Sequence, residues 1–596
     1  MTDTDRWYFH WIDWIVFVSM LCLSAAAGLW HYFRGKQYNT EEYLLGGHSM
    51  NLLPVSSSLI ASFISGITIL GTPTEIYNYG TQYWITIFSI LFAGIVVAVI
   101  YLPVFYVVRL NSAYEYLEIR FSREVRILIS LIFVIDAVLY QSIVLYVPSL
   151  ALNQVSGINV HLIGTVVCLV CVFYTVLGGL RAVVWTDTIQ VVIMITAVTV
   201  VTFLGTYQVG GPSEVWNNAL QAKRIQFLNT AYIAVNQTMV QRYRTLPTMR
   251  IARIAVGIFT CGVMIFISLC CWCGLVLLAW WSPPKCDPRA SGLVSADDQM
   301  LPAFVMEIAG HLHGIPGLFV AGIFGAALST LSVGLNATSV VLLEDFVKGY
   351  FRLNPSERCA AIFVKSVAIF LGMIALAFIF LVERLGGVLA VTGSLAAIAA
   401  GTSLGVFTLG MLVPWTNSKG AFVGAIAGFA TAAWASLGAN AATGAGQIKS
   451  KKLPVDLSCC SANVSDHFAT LFESHGEEDV FPLYRLSYHL IAGLGTVVVI
   501  VVGILVTCCS SPTDPASIDR NLLSPVIHRL LPPERIPTAS KETRRSNSRM
   551  SDSRPDHIDD FLLGDIRGVD KLPVVIAKSQ QLDVTDEFLP ISRNNT

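Results

Sequence analysis

The sequence predicts an all-α, polytopic membrane protein, and three observations carry that prediction. Of the 596 residues, 54% are hydrophobic and 13% charged, with a mean hydropathy of +0.64. Apolar runs of roughly 20 residues, the length a helix needs to cross a bilayer, recur from near the N-terminus to position 509. One run, Pro54 to Gly71, is polar for its length, with Ser56, Ser57, Ser58, Ser62, Ser65 and Thr68 and an internal Gly66. Lipid offers the backbone no hydrogen bonds, so a polar, Gly-interrupted span is tolerated only against protein or a water-filled cavity.

The first run, 14–33, is followed by Arg34 and Lys36 rather than preceded by a basic region, so it reads as a retained helix and not a cleaved leader. Further runs, separated by polar breaks, lie at 51–71, 83–108, 126–149, 158–178, 185–207, 254–281, 316–343, 360–382, 386–413, 419–438 and 486–509. That gives about 12 spans and a transmembrane domain over 1–509. From Ser510 the chain is rich in Ser, Pro, Arg and Asp without a sustained apolar period, so 510–596 is expected to be a disordered cytoplasmic tail.

Basic residues assign the sides. Arg34 and Lys36, Arg109 to Arg126, Arg181, Arg242 to Arg253, Lys348 to Arg358, and Lys419 should all face the cytoplasm, with the N-terminus outside. This alternation holds up to Arg181 and then requires an extra crossing before Arg242. The one candidate is 227–241, with about 15 residues where a straight helix needs about 20, and it is polar. If it crosses, the C-terminus is cytoplasmic and the sequon Asn463-Val464-Ser465 lies outside, where Asn463 can be glycosylated. Most of the 13 cysteines sit in apolar runs as small buried hydrophobes; Cys286, Cys459 and Cys460 lie in polar loops, where Cys286 has either of the other two as a possible partner.

Chemistry is sparse. There is no phosphate loop, nucleophile elbow or zinc spacing, and the 11 histidines are scattered, so neither an ATPase nor another enzyme is indicated. The expected surroundings are the lipid bilayer, with no nucleic acid. A second polar span, 322–343, places Ser329, Thr330 and Ser332 on adjoining turns. Sodium wants oxygen ligands, and a helix break supplies carbonyls that hydroxyls can complete, so Ala61 and Ile64 carbonyls with Ser329 and Thr330 make a sensible cation site. Equally, Ser and Thr permit close helix packing, and on pattern alone that role weighs more. Asp187 lies in a span near its cytoplasmic end, either functional or paired with Arg181. Asp136 is deeper, one turn from Tyr140, and Asp13 is expected to meet water at the outer end of the first span.

At four segments the chain resembles the sodium/solute symporter family, solute carrier family five. These are Gly178 to Gln190 with its Trp-Thr-Asp-x-x-Gln, Asn236 to Tyr243, Ala326 to Asn336 followed by Glu344-Asp345, and Tyr140 to Gln154. The resemblance is to the branch carrying monocarboxylates, vitamins or iodide. It implies the LeuT-type five-plus-five inverted repeat with extra flanking helices, about 12–13 transmembrane helices in all. It also implies sodium at Ala61, Ile64, Ala326, Ser329 and Thr330, a cation path lined by Asp187 and Gln190, and solute contacts at Thr68 and Tyr140. Na+ would be the coupling ion, with no other cofactor, and the solute a small organic anion carried across the plasma membrane. One departure stands out: roughly twenty residues that relatives place between Asn229 and Ile233 are missing, about one span's worth, so the sixth core helix is shortened. The competing readings are a sensor or scaffold that does not transport, or a transport-deficient splice form.

Overall fold

The computed structural model describes residues 9–34, 50–108, 110, 112–226, 248–294, 296–382, 388–445, 447–448, 452–453, 455, 460, 480–486 and 488–533. Among these no strand occurs. Among the described residues nine helices are long and apolar enough to cross a membrane, or ten if a bent pair counts as one span. The predicted runs appear in order: α1 (Trp11–Arg34), the pair α2 (Leu52–Phe63) and α3 (Gly66–Tyr79), α4 (Thr81–Val108), the short α5 (Glu115–Arg120), and α6 (Arg123–Ser156). Then come α7 (Val160–Val209), the short α8 (Pro212–Gln221), α9 (Met249–Trp280), α10 (Met300–Ala309) and α11 (Ile315–Val341). The last four are α12 (Glu357–Val382), α13 (Val388–Leu412), α14 (Ser418–Gly444) and α15 (Tyr488–Cys509). The short crossing expected at 227–241 lies outside the described residues.

At 50 residues α7 is far too long for one crossing, and its interior holds the reason it is two. Gly179 adopts φ 61°, ψ −164°, a conformation open to glycine because it lacks a Cβ. The chain doubles back there: Tyr174 donates to the Leu328 carbonyl at 3.0 Å, while Gln190, sixteen positions on, packs on Gly325 of the same helix. The runs predicted at 158–178 and 185–207 are thus the arms of one hairpin wrapped on α11.

That helix is the centre of the molecule. It is buried along almost its whole length, among α1, α6 and α7. Small residues set the approach, as at Gly322, where an added Cβ would stand 2.7 Å from Ala197. Asp13, expected to meet water, is instead buried and caps α11 by accepting from the Gly314 and Gly317 amides at 2.8 and 3.0 Å. A carboxylate suits that place because the first amides of a helix have no intrahelical partner and carry positive character.

The end of the bundle bearing the basic loops is closed by two arginines. Arg120 donates to four carbonyls around the end of α13: Gly410, Thr416, Val413 and Pro414, at 3.0, 3.3, 3.2 and 2.9 Å. Arg126 reaches Asp345 at 2.6 Å and Glu118 at 2.7 Å, and Asp345 also accepts from Ser112 and Ser130. Packing continues past Cys509. Residues 515–530 form three short 3₁₀ turns, Leu522 and Leu523 are buried, and the Tyr116 hydroxyl donates to the Leu522 carbonyl at 2.9 Å. The tail expected from Ser510 therefore begins with a packed segment, and residues from 534 onward lie outside the described chain.

Replacing Arg120 with Ala removes a donor from all four carbonyls, of which Val413 keeps the Thr416 amide and Thr416 keeps the Thr513 hydroxyl, and should cost about 3 kcal/mol. A lowered melting temperature of the detergent-purified chain is expected. An unchanged one would mean that the carbonyls find other donors.

Candidate functional site

The site is built on the break between α2 and α3. Ile64 and Ser65 leave helical geometry, with φ, ψ of −84°, 109° and −99°, 168°. Ser65 is a natural N-cap residue, and its amide lies 3.4 Å from the Thr68 hydroxyl, which stabilises the restart. Gly66 opens α3 against the scaffold, where a Cβ would meet Pro148 at 2.9 Å and Ile323 at 3.3 Å. The break releases the last carbonyls of α2 from the helical ladder inside a dry interior, so each needs a donor or a cation.

Helix α11 supplies the donors. Ser329 Oγ has one proton and two acceptors in reach, the Ala61 carbonyl at 2.6 Å and Ala326 O at 2.9 Å. Thr330 Oγ1 lies 3.0 Å from Ala326 O and 3.4 Å from Ser62 O. Ala61, Ala326 and Ser329 are fully buried, as is Ile64 at the break. Four of the five residues expected around sodium are thus in mutual contact. Ile64 is their neighbour on the unwound segment. The Ser62 carbonyl joins them unpredicted; its signal in the sequence was only that it shares the last turn of α2 with Ala61. Carbonyl and hydroxyl oxygens suit a hard cation such as Na+. Among the described residues no cluster of His, Cys, Asp or Glu suits a transition metal.

Asp187 is fully buried on the second arm of α7 and accepts from Ser58 Oγ at 2.6 Å, one turn from Ser62 on the broken helix. Gln190, one turn further, donates to Ser24 Oγ at 3.1 Å and packs against Gly325. Asp187 thus touches the broken helix, and Gln190 lies between α1 and the turn of α11 that carries Ala326. Thr68 is half-buried and tied to the cap of α3; Tyr140 is half-buried on α6 against the main core. Asn463 lies outside the described residues.

At the opposite end from the basic loops, the end of α3 is covered by a polar cap that sequence pattern did not reveal. Tyr77 donates to Asp287 at 2.6 Å, Asn78 accepts from the Leu453 amide at 2.8 Å, and Asp297 is held by Arg289 at 2.6 Å and Lys452 at 2.7 Å. Burial, reinforced by Asp297, pushes the Asp298 carboxyl up to about 6. Cys286 pairs with Cys460, which ties the loop after α9 to the loop after α14. Of the two partners left open for Cys286, the structure selects Cys460.

A helix broken at an oxygen-lined site and docked on an antiparallel scaffold defines a class of multi-pass carrier proteins in which an ion sits at the break. The chain belongs to the sodium:solute symporter family, whose model matches residues 43–266 and 232–428. The human sodium-coupled monocarboxylate transporter 1 is 36% identical over 535 residues, covering 83% of this chain and 86% of that one. The human sodium/iodide cotransporter is 34% identical over 86% of this chain and 85% of its own, and the rabbit (Oryctolagus cuniculus) sodium-dependent multivitamin transporter 34% identical over 88% and 86%. A substrate-bound, outward-open Na+-coupled sialic acid symporter superposes with a TM-score of 0.67 at 22% identity, covering 84% of this chain and 98% of that one. The fold is accordingly the LeuT-type inverted repeat with flanking helices.

Gly66→Ala forces α3 away from Pro148 and should lower the melting temperature of the purified chain by several degrees. Gly257→Ala, in α9 where an added Cβ meets nothing within 4 Å, should leave it equal or slightly higher. Equal effects of the two would show that the break does not depend on that close approach.

Proposed function

We propose that this chain is a sodium-coupled symporter for a small organic anion, a monocarboxylate or vitamin-like acid, at the plasma membrane, working by alternating access. The observation that carries this reading is the bond from Ser329 Oγ to the Ala61 carbonyl at 2.6 Å, which joins the scaffold helix to the broken one. Na+ is held by Ala61, Ile64, Ala326, Ser329 and Thr330. Asp187 and Gln190 line its path inward, and Thr68 and Tyr140 contact the solute. A cation shared between the α2 carbonyls and the α11 hydroxyls stabilises the docked arrangement of the two helices. Its departure leaves only the hydrogen bonds, so the broken helix swings more readily.

The N-terminus is outside and the C-terminus cytoplasmic, which puts the polar cap outside and the arginine closures inside. At about 100 mV each inward Na+ contributes about 2.3 kcal/mol, and a tenfold gradient adds about 1.4. For an anion entering with one Na+ the voltage term cancels, so strongly concentrative uptake requires a second ion. Membrane-region sequence supports a second reading as well: 227–241 is short for a crossing, and the family match divides in the same neighbourhood. That favours a transport-deficient splice form, or a family member that acts as a sensor or scaffold.

Uptake of lactate, nicotinate, biotin and iodide in cells expressing the chain is the direct test. Sodium-dependent accumulation of one of them is expected. If none accumulates, and a version with a full-length sixth core helix does accumulate one, this chain is the non-transporting form. Thr330→Ala should raise the Na+ concentration for half-maximal response by about tenfold, equivalent to about 1.4 kcal/mol. An unaltered sodium response removes Thr330 from the site. Loss of a glycosidase-sensitive mobility shift in Asn463→Gln is expected from the orientation.

A further inference from the structure

The polar cap contains a group that the symport reading leaves unused. Arg224, just after α8, heads the largest fully buried side chains among the described residues, with 0% exposure. Its place is fixed by the backbone: its carbonyl accepts from the Thr81 amide at 2.8 Å, and Gly80, with φ 80°, packs so closely that a Cβ would stand 2.4 Å from that oxygen. Nη2 donates to the Leu453 carbonyl at 3.1 Å. Nε and Nη1 are buried without a hydrogen-bond partner.

A guanidinium carries five N–H donors and keeps its charge at any physiological pH, so burying it without an anion is strongly unfavourable. The acid whose charge acts on it, Asp287, forms no ion pair with it. Both Asp287 oxygens are engaged elsewhere: Oδ2 accepts from the Tyr77 hydroxyl at 2.6 Å, and Oδ1 from the Arg289 and Ala290 amides at 2.9 and 3.1 Å. Asp297 is held by Arg289 and Lys452. Asp287 and Asp297 are thus engaged elsewhere, among the described residues no other acid of the cap acts on Arg224, and the guanidinium still has donors to offer.

We propose that Arg224 is the anchor of an anion-binding site in the cap, taking one small monovalent anion, a halide or a short carboxylate, on its free N–H groups. Because Arg224 also holds Thr81, just beyond the end of α3, and Leu453 of the loop after α14, the bound anion ties those two segments together at the capped end. The site requires neither sodium nor movement of solute, so it stands apart from the symport reading.

Broadening of the chloride NMR signal by the purified full-length chain reads such binding directly. Excess linewidth is expected, displaced by titrating acetate at constant sodium, and lost in Arg224→Gln. Asp287→Asn keeps the size of the side chain and removes a negative charge that opposes the anion; chloride should then bind about threefold or more tightly. Broadening that acetate does not displace, or that persists undiminished in Arg224→Gln, overturns the proposal. So does weaker binding in Asp287→Asn, which decides the matter if Arg224→Gln does not fold.

Discussion

The structure turns on two carbonyls. Breaking a helix inside a membrane strips the last turn of its donors where water is scarce, and the break at Ile64–Ser65 persists because α11 brings the Ser329 and Thr330 hydroxyls to the Ala61 and Ser62 oxygens. Much of the remaining architecture serves to put α11 there. The Gly179 reversal lets both arms of α7 pack on it, Asp13 caps its start, and glycines at 322 and 325 let the second arm of α7 approach closely. An interior polar contact of this kind is maintained by the packing around it, since each hydroxyl also has a carbonyl of its own helix as an alternative partner.

The two ends of the bundle are held by different chemistry. At the basic end, Arg120 and Arg126 bridge carbonyls and carboxylates from elements distant in sequence, and residues 515–530 pack beneath them. At the capped end the fastening is a set of loops joined by ion pairs, one disulfide and a tyrosine–aspartate bond. An arginine that donates to four carbonyls at once gives up all of those bonds if it moves, whereas a cap of separate pairs can open piecemeal.

How much was legible follows from what each feature depends on. Bilayer thickness alone fixes span length, so all twelve apolar runs appear as helical segments, and the break was announced by serines and a glycine inside an apolar run. Ser329 and Thr330 were ambiguous, because hydroxyls that pack and hydroxyls that ligate look identical in a string; the family resemblance tipped the balance, not the pattern. Contacts across the cap were illegible: Tyr77 and Asp287 are 210 positions apart, and neither belongs to a periodic pattern. Asp13 was misread for a related reason, since its proximity to the span end says nothing about which helix start lies beside it. The packed stretch after Cys509 buries Ala516, Ile518, Leu522 and Leu523, which are scattered over eight positions without a helical or strand period and so do not stand out from a polar tail.

The shortening proposed for the sixth core helix separates two functions that are normally tested together. Every atom proposed for the cation lies on α2, the break or α11; among the described residues α11 packs against α1, α6 and α7, and α2 against α7, α9 and α11. The proposed ion site is therefore built from helices that lie outside 227–241 in the sequence. Solute enclosure is different, because the partner of the broken helix in an inverted repeat is the sixth core helix, and a crossing of about 15 residues falls roughly a turn and a half short of a full span. The physical expectation is a protein that retains its affinity for sodium whatever becomes of the solute site, so a sodium response without uptake is a coherent phenotype for this chain and not a sign of misfolding.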